Sequence, residues 1–222
     1  YDNSKSDTAS NYKRTTYGGN ITLGFPVNEN NSYYIGVGYT YNKISNFAYE
    51  YNRTLYMKSM DLLGNSVKTN DFDFSFGWNY NSLNRGYFPT KGVKASLGGR
   101  VTIPGSDNKY YKLSAELQGF YPLDRDHRWV LSGKATAAYA NGLSGKRVPF
   151  YQLYTAGGIG SLRGFAYGAV GPNAIYWQKD RNGKEGWIPN TDVIGGNAMA
   201  TASVELIVPT PFVSDKSQNN VR

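Results

Sequence analysis

Cysteine is absent from the 222 residues, so neither a disulfide framework nor a thiolate metal site is open to this chain. Histidine occurs once, as His127 within "PLDRDHRW". A histidine-based triad or metal cluster would rest on that single residue, and the plain reading is a polar turn. No stretch approaches the ~18 apolar residues of a membrane-spanning helix, and the mean hydropathy is −0.54. A dense Lys/Arg patch is also missing, so the net charge of +8 reads as scattered loop lysines and not as a nucleic-acid surface. No signal peptide opens the chain, which starts at "YDNSKSDTAS" and stops at "SQNNVR"; such abrupt ends predict a piece of a longer protein.

What is present favours sheet. Twenty tyrosines, ten phenylalanines and four tryptophans stand against three methionines, a bias towards β-structure. Period-two alternation predicts seven strands, at 17–25, 32–42, 70–81, 92–103, 110–121, 129–140 and 197–208. In "DFDFSFGWNY", Phe72, Phe74, Phe76, Trp78 and Tyr80 share one face, while Asp71, Asp73, Ser75, Gly77 and Asn79 share the other.

No apolar-face position in any of the seven strands is Asp, Glu, Lys or Arg. The opposite face carries Asp71, Asp73, Lys94, Arg100, Lys112, Glu116, Lys134 and Glu205. Exclusion of charge from one face, with both signs on the other, suits lipid outside and water inside a transmembrane barrel. Glycines at 18, 24, 36, 38, 77 and 98 on the wet face predict open space there, unlike a packed sandwich core. Asp71 and Asp73 read as lumen-solvated and not as a catalytic carboxylate pair. Aromatics end the apolar face at Tyr17, Phe25, Trp78, Tyr80, Tyr121, Trp129 and Tyr139, as rings do at a membrane–water boundary.

Connection lengths alternate. The links 26–31, 82–91 and 122–128 are short, whereas the longest, 43–69 and 141–196, both fall in the other set. An antiparallel up-and-down sheet puts each set on one side, as short periplasmic turns and long external loops. The fold class expected is all-β: an up-and-down antiparallel barrel, here seven strands of a larger one. The whole chain, 1–222, reads as a partial outer-membrane β-barrel domain with long extracellular loops at 43–69 and 141–196.

The longer loop holds "GGIGSLRGFAYGAVGP", residues 157–172, where one cation, Arg163, sits among glycines and aromatics. No Gly-Lys-Ser/Thr follows and no β-α unit is present, which argues against a phosphate loop. Glycine permits tight folding and close approach, so the segment is expected to fold back into the lumen. There Arg163 would need a carboxylate. Glu205, on the wet face of the next strand, is the best local candidate, and a guanidinium can bind it through two parallel hydrogen bonds. A solvated turn arginine is the open alternative.

"GSLRGF", then "GP", then "GGNAMATASVELIVPTPF" closely resemble the BamA family, central subunits of the outer-membrane β-barrel assembly machine. "ITLGFPVNENNS", "LNRGYFPTKG" and "VTIPGSDNKYYKL" are similar to its barrel as well. The Arg-Gly-Phe motif alone marks a wider superfamily that includes two-partner secretion transporters, so a secretion channel with the same motif is the alternative function. The resemblance implies a sixteen-stranded barrel in the Gram-negative outer membrane that folds and inserts other barrels. It implies no enzymatic step and no cofactor or metal. Its partners would be accessory assembly lipoproteins, unfolded outer-membrane clients and the lipid bilayer, with no nucleic acid. It further implies that a lumen-inserted loop is latched by Arg163, Gly164, Phe165 and Glu205, with Leu162, Gly157, Gly158 and Gly160 completing the motif. A second acidic partner of Arg163 is implied beyond Arg222.

Overall fold

The structure is a computed structural model, and it describes residues 13–45, 66–179 and 182–209. Seven strands form one antiparallel sheet: β1 Lys13–Pro26, β2 Asn31–Ser45, β3 Ser66–Asn81, β4 Gly92–Thr102, β5 Tyr110–Pro122, β6 Val130–Gly142 and β9 Ala198–Ile207. Each pairs with the next in chain order, and β6 pairs with β9 across the long connection. The sheet is open among the described residues, with β1 and β9 as its edges.

Register keeps the two faces in phase across all six ladders. Ile35 faces Phe76, Phe74 faces Val101, Leu97 faces Ala115, Leu113 faces Tyr139, and Leu131 faces Leu206. A slip of one residue at any ladder would move a charged face onto the apolar side. Burial is inverted relative to a soluble protein. On the apolar face Ile21 is 72% exposed and Leu117 53%, while on the polar face Asp71 is 2% exposed and Asp73 6%. A water-soluble sheet buries its apolar face. This one presents it outward, as lipid requires.

Aromatic rows bound that face. Phe25, Tyr33 and Trp78 align across β1, β2 and β3 at the short-turn end, and Tyr17 and Tyr41 pair at the other. On β1 the interval from Tyr17 to Phe25 is about 27 Å of strand, or roughly 20 Å of height at a ~40° tilt, close to the ~25 Å band of an outer-membrane barrel.

Strands outrun the alternation at the long-loop end. β1 begins at Lys13, and the β2–β3 ladder continues through Lys43–Lys68, Ile44–Val67 and Ser45–Ser66. There the alternation lapses, with Ile44 and Val67 buried on the polar face, so backbone pairing continues where the period-two signal has stopped. The connection expected at 43–69 is therefore shorter, and its middle lies outside the described residues. A second sheet within the last connection, β7 Asn173–Lys179 with β8 Glu185–Val193, departs from the expectation of a loop without strands.

The polar face is less open than its glycines suggest. The Tyr34 ring fills the space over Gly77, and Asp73 approaches Gly38. The aspartates are not solvated either. Arg100 Nη2 donates to Asp73 Oδ1 at 2.6 Å, and Asn108 donates to Asp71 through its backbone N–H and its side-chain amide. The 103–109 turn thus brings Asn108 onto Asp71, and β4 brings Arg100 onto Asp73.

Candidate functional site

The connection that leaves β6 at the long-loop end meets the polar face through its first part, at Lys112, Lys134 and Glu205. A first contact region lies at 148–154. Pro149 starts a short 3-10 turn, Phe150–Gln152, which carries Tyr151 and Gln152 to the wall. Arg14 of β1 stacks over the Tyr151 ring at 4.5 Å and donates to Asn42. Lys112 of β5 donates to the Gln152 carbonyl at 3.0 Å and lies 4.4 Å from the Tyr154 ring centre. Tyr110, Ala140 and Val148 pack beneath, with Leu153 and Tyr154 against them. Partial burial there pushes the Tyr154 phenol above its ordinary range.

The glycine-rich segment follows and ties itself into a compact knot. Ala156 and Val170 exchange backbone hydrogen bonds at 2.8 Å, closing its neck. Gly158 N–H donates to the Phe165 carbonyl, and the Gly158 carbonyl accepts from Ser161 and Leu162. Gly157 N–H donates to Ser161 Oγ, which donates back to the Gly157 carbonyl. Gly157 has φ +125°, and a Cβ there would overlap the Ala166 carbonyl oxygen, so no other residue fits. The fold of this tip is thus local, set by backbone bonds within 156–170.

The knot presents Arg163 to β9. Its Nη1 is 3.2 Å from Glu205 Oε1. Glu205 lies near the short-turn end of β9, about 23 Å of strand below Ala198, where the loop rejoins the sheet. The tip therefore reaches down most of the sheet's height. A cavity of about 490 Å³ lies between knot and wall, lined by Ile159 to Arg163, Lys134, Ser132, Ser203 and Glu205. Gly160 enters through its carbonyl, which accepts from Lys134 at 3.4 Å.

The ion pair is wet. The Arg163 side chain is 68% exposed and that of Glu205 42%. Such exposed pairs contribute about 0–1 kcal/mol. That is enough to bias a loop's position and too little to lock it. Phe165 joins the knot through its backbone and leaves its ring more than half exposed, while Leu162 lines the cavity beside Arg163 and Gly164 turns the chain at φ +88°.

Three polar-face residues matter here that the sequence pattern alone did not single out as site residues: Lys112, Glu116 and Lys134. Opposite charges at matching parity on neighbouring strands were the signal for Glu116 and Lys134, whereas Lys112 had none, since its register partner on β4 is Arg100. Lys134 Nζ lies 3.3 Å from Glu116 Oε2. Among the described residues no group of three or more His, Asp or Glu side chains is placed to hold a metal.

Comparison with known proteins agrees with this architecture. Residues 1–222 match the Omp85 superfamily domain. The chain is 29% identical over 214 residues to the outer membrane protein assembly factor BamA of Neisseria meningitidis serogroup B, covering 92% of this chain and 25% of that protein. It also superposes on the crystal structure of BamA from Haemophilus ducreyi lacking POTRA domains 1-3, with a TM-score of 0.91 and 54% identity. That match covers 99% of this chain and 42% of the other. The resemblance to the BamA family read from the sequence is thus borne out, and so is the all-β barrel class. Matched along its whole length and superposable on a solved BamA, the chain belongs to the Omp85 superfamily.

Proposed function

We propose that this chain works in the machine that folds and inserts β-barrel proteins into the Gram-negative outer membrane. It spans a quarter of the Neisseria relative and under half of the solved one, so the activity proposed is that of the full-length protein. Residues 1–222 are barrel domain in this reading, with 43–69 and 141–196 on the extracellular side. Accessory assembly lipoproteins and unfolded outer-membrane proteins are its partners, and the bilayer is its solvent. Its work is conformational and breaks no covalent bond.

The observation that carries this reading is the Arg163–Glu205 contact, made deep on the polar face by a loop that enters from the far end. With the sheet closed into a barrel, that face is the lumen wall. Arg163 and Glu205 then form a latch, Gly164 and Phe165 shape the turn that carries it, and Gly157, Gly158, Gly160 and Leu162 build the tip. Because the pair is exposed and weak, the latch can open at little cost while the barrel handles a client.

Depletion of the full-length protein from its own cells tests the function. Levels of several unrelated outer-membrane barrels are expected to fall together, with unfolded precursors collecting in the periplasm. Loss of one secreted protein alone would instead indicate a dedicated two-partner channel and overturn the assembly reading.

A further inference from the structure

Lys134 stands on β6 between two carboxylates. Its partners in register are Gln118 on β5 and Ser203 on β9, so Glu116 occupies one diagonal and Glu205 the other, all on the polar face. Diagonal neighbours in a sheet lie about 7–8 Å apart, within reach of a long side chain. Lys134 takes Glu116 at 3.3 Å and donates to the Gly160 carbonyl of the loop tip. It also lines the same cavity as Glu205 and Arg163, so no wall separates it from the second carboxylate. Four groups of alternating sign result, in the order Glu116, Lys134, Glu205 and Arg163, on three strands and the loop.

We propose that Lys134 is an exchange partner for Glu205. With the loop docked, Arg163 holds Glu205 and Lys134 holds Glu116. When the loop withdraws and takes Arg163 with it, Lys134 turns across the diagonal to Glu205 and releases the Gly160 carbonyl. Glu205 is then never left without a cation, and the undocked state gains a contact that the docked state lacks. A lysine suits this task, because its ammonium is a compact charge on a flexible stem with rotatable donors, while a guanidinium fork is tied to one planar geometry. Both existing pairs are a third or more exposed, so exchange costs little in either direction. Lys134 acts through Glu205 and is a positioning residue. The proposal rests on the reading of Arg163–Glu205 as a contact that opens.

The two carboxylates give the test opposite signs. Spin labels at Ile159→Cys on the tip and Leu123→Cys at the short-turn end, placed in the full-length protein in lipid vesicles, report docked and undocked populations as two distances. Lys134→Met removes the competitor, and the ratio of docked to undocked is expected to rise about twofold to fivefold. Glu116→Gln frees Lys134 to compete, and the ratio is expected to fall by a similar factor. Lys134→Arg keeps the charge but ties it to a planar fork, so its ratio should fall between those of the parent and Lys134→Met. If Lys134→Met lowers the ratio, the lysine only supports Gly160 and the proposal is wrong. Unchanged ratios in both variants also overturn it. Arg163→Ala separates the two readings: if it undocks the loop while the other variants do nothing, the latch survives and the exchange fails. If Arg163→Ala leaves the loop docked, the latch itself fails.

Discussion

The Tyr34 ring occupies the space above Gly77 in which any other side chain would begin. The two face each other across the β2–β3 ladder, and the Tyr34 hydroxyl reaches on to 3.2 Å from the place of a Cβ on Gly98, the partner of Gly77 on β4. The three residues form a packed strip across the polar face, tightest at Gly77, where the ring as placed leaves no room for a Cβ.

Gly77→Val should therefore destabilise the full-length barrel by about 1–3 kcal/mol, the usual cost of overpacking. The urea midpoint measures it. In a Tyr34→Ala background the same substitution should lose most of its cost, because contacting residues couple. Equal losses in both backgrounds would show that the ring is not the obstacle.

The outward apolar face makes a second prediction. Leu117 lies between the aromatic rows on β5, and Glu116 beside it points to the polar face, opposite Thr136. Leu117→Lys should cost about 2–4 kcal/mol of stability in lipid, the penalty for a cation near the bilayer midplane. Thr136→Lys, at the same height but facing Glu116, should be nearly neutral. Reversed costs, measured by unfolding in liposomes, would mean that the faces are assigned wrongly.

The short turns are also built. Asn84 accepts from the backbone N–H groups of Thr90 and Lys91 and donates to Thr90 Oγ1, which shares a 3.0 Å hydrogen bond with His127 of the neighbouring turn. The one histidine is thus a structural tie between turns. Asn84→Ala removes three hydrogen bonds and leaves the buried Thr90 N–H without its acceptor and the Thr90 hydroxyl with His127 alone, a loss of about 1–3 kcal/mol. Thermal unfolding of the variant checks this, and a midpoint within a degree of the parent would contradict it.

Much of the fold could be read from alternation, because lipid on one side and water on the other impose period two wherever a strand crosses the bilayer. The strand ends could not, since Lys13 to Thr16 continue the ladder with polar residues on both faces, and from Ser66 to Thr69 the one apolar side chain, Val67, falls on the polar face. The β7–β8 hairpin was hidden for a different reason: "NAIYWQK" sits inside a connection whose glycines argue for irregular backbone. Within the candidate site, parity alone placed Glu205 on the face that Arg163 meets. The depth of that contact, its exposure, and the pairing of Lys134 with Glu116 depend on a loop path and on diagonal neighbours across strands, which a single chain's pattern does not specify.

The most direct measurement is a double-mutant cycle on Arg163→Ala and Glu205→Ala in the full-length protein, read as the rate of client-barrel assembly into liposomes. Direct pairing predicts that each single variant slows assembly and that the double variant is little worse than either. Fully additive losses would mean that the two residues act apart, and the latch would have to be abandoned.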